Sequence, residues 1–129
     1  LVRLLLNHPV FSIEALNSSS ITGDYSDKVS SFIGANLPSV QLFDASLCGD
    51  LDILFLAVPH TKSMGVVRDL KHMHHDLKII DLSADFRLTN TFEYKKFYGK
   101  NHKAKKLINQ SIYSVSEFAK KRPPFLVVF

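Results

Sequence analysis

The chain has 129 residues, 46% of them hydrophobic and 22% charged, which is the balance of a folded domain and not of a disordered segment. No apolar run approaches the roughly 20 residues of a membrane helix; the longest strong one, Leu51 to Pro59, is already interrupted by Asp52. A single cysteine, Cys48, excludes an internal disulfide and points to a reducing, cytoplasmic setting, while the net charge of +4 gathers in Lys103, Lys105 and Lys106 and in Lys120, Lys121 and Arg122.

Leu1, Val2, Leu4, Leu5 and Leu6 are too closely spaced for an alternating strand and read as the last turns of a helix buried on a wide face. Pro9 stops that helix by disfavouring helical geometry in the residue before it. Val10 to Leu16 alternates, which predicts a strand ending in the polar turn Asn17-Ser18-Ser19-Ser20. Ile21 to Pro38 lacks a clean period and reads as a long loop with one helical turn, and Val40 to Phe43 reads as a short strand.

Leu51 to Val58 is apolar on both faces, as a central parallel strand is, and Pro59 ends it. Thr61 is placed to cap the next helix, in which Val66, Val67, Leu70 and Met73 recur at helical spacing and Lys62, Arg68, Asp69 and Lys71 face mostly outward. Leu77 to Leu82 is a second buried strand. Strand, helix and strand at this spacing form a βαβ unit whose strands are parallel neighbours. A turn over Ser83 to Leu88 follows, then short helices over Phe92 to Tyr98 and Ala104 to Asn109 around the joint Gly99-Lys100-Asn101-His102. Ile112-Tyr113 predicts a short strand, Ser116 to Lys121 a last helix, and Phe125 to Phe129 a final strand.

The pattern is open α/β with a mostly parallel sheet, and such sheets bind ligands beyond the carboxyl ends of their strands. That rule singles out Asn17-Ser20, Pro59-Thr61 and Ser83-Arg87, each directly after an expected strand. The helix-end histidines His72 and His75 stand three apart, but no cysteine or pair of carboxylates completes a metal site, so they read as a polar helix end. The lysine clusters read as solvated faces, because neither an aromatic stacking pattern nor a nucleic-acid motif accompanies them.

Three stretches together resemble the N-acetyl-gamma-glutamyl-phosphate reductase family: Leu4-Leu5-Leu6-Asn7-His8-Pro9, Phe55-Leu56-Ala57-Val58-Pro59-His60, and Ile80-Asp81-Leu82-Ser83-Ala84-Asp85-Phe86-Arg87-Leu88. Tyr94 to Gly99 and Tyr113 to Glu117 follow in the family's order. The resemblance implies a Rossmann-like open, mostly parallel sheet, truncated at both ends, in a partial NADP-binding domain without the substrate and dimerisation domain. It implies an NADPH-dependent reduction of an acyl phosphate to an aldehyde through a cysteine thioester, which divides one hard step into two. The expected partners are a small-molecule acyl phosphate and, in the intact protein, further copies of the chain; neither membrane nor nucleic acid is expected.

Carried onto this sequence, the resemblance places Ser18 and Ser20 at the adenosine ribose and 2′-phosphate, although each also fits a plain serine turn. Ser19 stands where the family commonly has an arginine, so the bidentate charge for a 2′-phosphate is missing. Ala57, Val58, Pro59 and His60 border the cofactor near its nicotinamide half, His60 as a ligand-contacting or loop-ordering group and not a proton shuttle. Ser83, Asp85 and Arg87 are assigned to the substrate side, with an Asp85–Arg87 loop ion pair as the plain structural alternative, and Tyr94, Tyr98 and Glu117 line the same side or pack in the core. The five glycines include no G-x-G-x-x-G turn, and Cys48 precedes a strand, far from where the family's Pro-Gly-Cys nucleophile belongs. The nucleophilic cysteine and the acid/base histidine are therefore expected outside this chain, and so is activity. A non-catalytic α/β binding module and a basic nucleic-acid binder are the competing readings.

Overall fold

The structure is a computed structural model and describes residues 1–113 and 126–128. The chain divides into two compact units, Leu1–Asp44 and Ala45–Phe129. Among the described residues, the paired strands of both sheets are parallel. No helix among the described residues is long and apolar enough to cross a membrane.

In the first unit, helix α1 (Val2–Leu6) ends where Pro9 requires, with the Asn7 side chain donating to the Arg3 carbonyl at 3.0 Å. It is not buried on a wide face: none of its residues is buried and Leu4 is 75% exposed. It borders an open hollow of about 400 Å³ against Tyr25, Val29 and Phe32 instead of packing closed. The strand expected over Val10 to Leu16 is absent. His8 Nδ1 accepts the N–H groups of Val10 and Phe11, and the His8 and Phe11 rings stack at 4.4 Å, so these residues are committed to a local turn and not to a ladder.

The strand forms later, as β1 (Leu16–Ser18), and pairs with β2 (Val40–Leu42). Asn17 and Ser18 thus belong to the strand, and the turn begins only where Ser18 Oγ accepts from the Ser20 and Ile21 N–H groups. Between the strands lie α2 (Tyr25–Lys28), capped by Asp24, and a 3-10 turn at Ser30–Phe32. The buried apolar residues of this unit are Phe32 and Val40.

The second unit holds most of the core. A 3-10 turn at Ala45–Cys48 buries Cys48, although the stretch around it in the sequence is largely polar. Strands β3 (Ile53–Leu56), β4 (Lys78–Asp81), β5 (Ser111–Tyr113) and β6 (Leu126–Val128) form one sheet in the order β3-β4-β6-β5. The βαβ unit is present, with β3 and β4 in parallel register and α3 (Ser63–Met73) between them. Contrary to expectation, β3 is an edge strand of this sheet and not a central one, and three of its four residues are only half-buried.

Met64, Val67 and Leu70 are fully buried on the inner face of α3, whereas Met73 is 45% exposed. Lys71 was expected outward but is buried. It follows its carbon stem inward, and its Nζ donates to the carbonyls of His75 and Leu77, satisfying acceptors just past the helix end. Helix α4 (Thr91–Tyr98) is capped by Asn90, whose Oδ1 accepts from Phe92 and Glu93, and it closes on Gly99 at φ +69. Helix α5 (Lys105–Ile108) precedes β5. The helix expected over Ser116 to Lys121, and Glu117 with it, lie outside the described residues.

Candidate functional site

Strands β3 and β4 pair from Ile53↔Lys78 to Leu56↔Asp81 and so end level with one another. Two loops leave this carboxyl edge side by side, Ala57 to Lys62 after β3 and Leu82 to Thr89 after β4. The β3 loop presents Ala57, Pro59 and His60 as exposed residues and Val58 as half-buried. The Leu82 N–H donates to the Leu56 carbonyl at 2.9 Å and extends the ladder to where the loops begin.

Below the rim lies a buried polar cluster. Asp81, Ser63, Ser83 and Asp85 are each 0% to 1% exposed. Asp81 Oδ1 accepts the Ser83 N–H at 2.8 Å, and its Oδ2 accepts from Ser63 Oγ at 2.6 Å and from Ser83 Oγ at 3.0 Å. Ser63 Oγ also lies 2.8 Å from Ser83 Oγ and 3.2 Å from Asp85 Oδ2. Burial pushes the Asp81 carboxyl above the usual carboxylate range, against the lowering effect of the Ser63 and Ser83 hydrogen bonds and with the help of nearby Asp85.

Asp85 joins this cluster to both loops. Its Oδ1 accepts from the Thr61 N–H at 2.6 Å and the Tyr94 hydroxyl at 2.8 Å, and its Oδ2 accepts from the Met64 N–H at 3.0 Å. Thr61 is therefore not the cap of α3. It sits two residues before the helix at φ +70, and the carboxylate that caps the first turn comes from Asp85, 21 residues on from Met64. Burial and the neighbouring Asp85 raise the Tyr94 phenol far above its ordinary range, which keeps it a donor.

His102 is buried against Phe86 and Tyr94, with edge-on rings at 5.0 Å. Its Nε2 donates to the Asp85 carbonyl at 2.8 Å and its Nδ1 accepts the Ala104 N–H at 3.1 Å, an arrangement that requires the neutral ring. Burial lowers its pKa in the same sense. His60 is oriented from the other side: its Nδ1 accepts the Ala84 N–H at 3.0 Å and its ring lies 6.0 Å from that of Tyr98.

Of the residues singled out in the sequence, Ala57 to His60 and Ser83 to Arg87 are brought together at one sheet edge. Ser83 and Asp85, expected on the substrate side, turn inward and serve the chain's own backbone. The alternative Asp85–Arg87 pair does not take up the Asp85 carboxylate, whose hydrogen bonds go to Thr61, Ser63, Met64 and Tyr94; the Arg87 guanidinium lies 5.8 Å from the centre of the Tyr113 ring. Ser18 is half-buried and Ser20 exposed, both in the first unit. Sequence reasoning missed Asp81, Ser63 and His102. For Asp81 and Ser63 the only signal was polarity next to or inside an apolar run, which marks a buried hydrogen-bonded group as often as a ligand, and His102 lies in a polar joint that hides its burial.

Comparison with known proteins identifies the family of the chain. A family model described as the semialdehyde dehydrogenase NAD binding domain matches residues 1–122. The chain is 42% identical over 120 residues to an N-acetyl-gamma-glutamyl-phosphate reductase of Jannaschia sp., covering 92% of this chain and 34% of that protein. It is 38% identical over 119 residues to the reductase of the same name from Cereibacter sphaeroides, with the same coverage of 92% and 34%. A probable chloroplastic N-acetyl-gamma-glutamyl-phosphate reductase of Oryza sativa is 33% identical over 118 residues, 91% of this chain and 28% of that protein. The chain spans about a third of the length of the curated relatives it matches. With parallel strands in open sheets, a βαβ unit and this match over nearly its whole length, the chain belongs to the semialdehyde dehydrogenase NAD-binding domain family.

Proposed function

We propose that this chain is the nucleotide-binding part of an NADPH-dependent reductase that converts N-acetyl-gamma-glutamyl phosphate to the semialdehyde. The observation that carries the reading is the exposed Ala57–His60 edge, fixed level with the β4 loop at the carboxyl end of a parallel sheet. Such an edge is where open α/β sheets receive ligands. Its residues fit the nicotinamide half of a dinucleotide: small apolar side chains at Ala57 and Pro59 for a flat ring, and a ring N–H on His60 for a polar substituent. The bound cofactor supplies a hydride.

The chain's own residues bind and orient. Ala57 to His60 are assigned to the cofactor, and Ser18 and Ser20 to its ribose and 2′-phosphate. Arg87 is assigned to an anionic group of the acyl phosphate, because a guanidinium matches carboxylate and phosphate oxygens. Ser83 and Asp85 act one step removed, holding the loops that carry the contacting groups. The thioester-forming thiolate belongs to a residue outside these 129, since the sole cysteine, Cys48, is buried.

Isothermal titration of the chain with NADPH tests the reading. Weak saturable binding is expected, because the sequence has no glycine-rich phosphate cradle. Absence of heat at millimolar cofactor contradicts it. In the same preparation, N-acetyl-gamma-glutamyl phosphate should cause no NADPH oxidation, and measurable turnover would refute the assignment of the thiolate elsewhere.

A further inference from the structure

The two loops at the β3 and β4 ends are laced in both directions. From the β4 side, each oxygen of Asp85 takes one main-chain N–H of the segment after β3, Oδ1 that of Thr61 and Oδ2 that of Met64. Tyr94 holds Oδ1 from a third direction, and His102 Nε2 donates to the Asp85 carbonyl oxygen. What this clamp fixes is costly by itself: Thr61, a β-branched residue, has φ +70. A conformation of that kind persists only where its surroundings over-determine it.

In the opposite direction Ala84, the residue before Asp85, donates its N–H to His60 Nδ1 at 3.0 Å. A ring nitrogen that accepts carries no proton, so the neutral ring bears its proton on Nε2. His60 is exposed, and its Nε2 has no hydrogen-bond partner among the described residues.

We propose that Asp85 is the positioning residue of this strand-end site: by clamping Thr61 in the left-handed conformation it seats His60 on the Ala84 N–H, and so presents His60 Nε2–H as a single fixed donor to an acceptor oxygen of the bound ligand. The ligand part rests on the cofactor reading above. A carboxylate is required, because its two oxygens accept two backbone N–H groups at once. A carboxamide has one oxygen and sets an NH2 group against the other donor.

The test is imidazole nitrogen-15 NMR of the whole chain without cofactor, well above the ordinary histidine titration range. His60 is expected in the Nε2–H tautomer alone. In Asp85→Asn it should average between tautomers, with amide exchange at Thr61 faster by at least about tenfold. Tyr94→Phe leaves both carboxylate oxygens in place and should keep the tautomer. A wild-type ring that is averaged or carries its proton on Nδ1 overturns the proposal, as does an unchanged ring in Asp85→Asn. If Asp85→Asn does not fold, the double variant Thr61→Gly/Asp85→Asn, relieved of the backbone strain, decides by the same signal. Adding NADPH to the wild type separates the two levels. Binding without a change at His60 Nε2 overturns the donor role, whereas no binding overturns the cofactor reading and leaves the tautomer to decide the clamp.

Discussion

Asp85 accepts the main-chain N–H of Thr61 at 2.6 Å across 24 residues of sequence, and Thr61 is the residue with the strained backbone. The same carboxylate caps the first turn of α3 through Met64. A single buried side chain therefore joins the helix start, the β3 loop and the β4 loop. Substituting Asp85→Asn leaves one buried N–H facing an NH2 group. The expected loss is about 2–3 kcal/mol of unfolding free energy, measured by urea denaturation with the slope unchanged. A loss within experimental error would show that the capping is dispensable.

Thr61→Gly acts in the opposite direction. At φ +70 glycine removes the left-handed penalty of a β-branched residue, while the freer unfolded chain offsets part of the gain. The expected net effect is a stabilisation of about 1 kcal/mol, read as a higher denaturation midpoint. A destabilised variant would mean that the Thr61 side chain makes a contribution larger than its backbone strain.

Much of the second unit was legible. The runs Leu51 to Val58 and Leu77 to Leu82 contain the observed strands, and the helix read over Phe92 to Tyr98, with Gly99 opening the joint after it, is α4. The strand over Val10 to Leu16 was not legible, because alternation alone cannot reveal that one histidine nitrogen takes two of the amides. The role of Ser83 and Asp85 was half legible. Their alternating polarity after a strand marks them as important, but a linear sequence does not show partners 18 to 24 positions away, such as Ser63 for Asp81 and Thr61 for Asp85. Lys71 misled for a related reason: a long stem lets a cation reach carbonyls beneath the surface from a position that patterning assigns to solvent.

Asp81 supplies a pH signature. Its folded-state pKa is raised above the ordinary 3.8 chiefly by burial, so the folded state binds the proton more tightly than the unfolded one. The contribution is favourable below about 3.8 and is lost as the pH rises through the raised value. In Asp81→Asn the carboxamide oxygen can still accept from Ser83 N–H and the NH2 group can donate to Ser63 Oγ, with no charge to desolvate. At neutral pH this variant should match or exceed the wild type in stability, and the segment of the pH–stability curve between 3.8 and neutrality assigned to Asp81 should flatten. A strongly destabilised Asp81→Asn at neutral pH would show that the ionised form is the one the cluster requires.

Ser19 sits in the turn after β1, where a guanidinium would reach a 2′-phosphate under the proposed cofactor reading. Ser19→Arg is expected to raise affinity for NADPH by roughly tenfold, about 1.4 kcal/mol, with little change for NADH. Titration of both cofactors against both proteins measures it. Equal gains for the two would indicate general charge attraction and not recognition of the phosphate.

The central claim is that the joined loops after β3 and β4 form the face that receives the nicotinamide cofactor. A map of backbone amide shifts on adding NADPH tests it most directly. The account predicts the largest changes at Ala57 to Thr61 and around Ala84 to Arg87, with little at the helix-end histidines His72 and His75. Saturable shifts confined to other surfaces, with those loops unmoved, would contradict it.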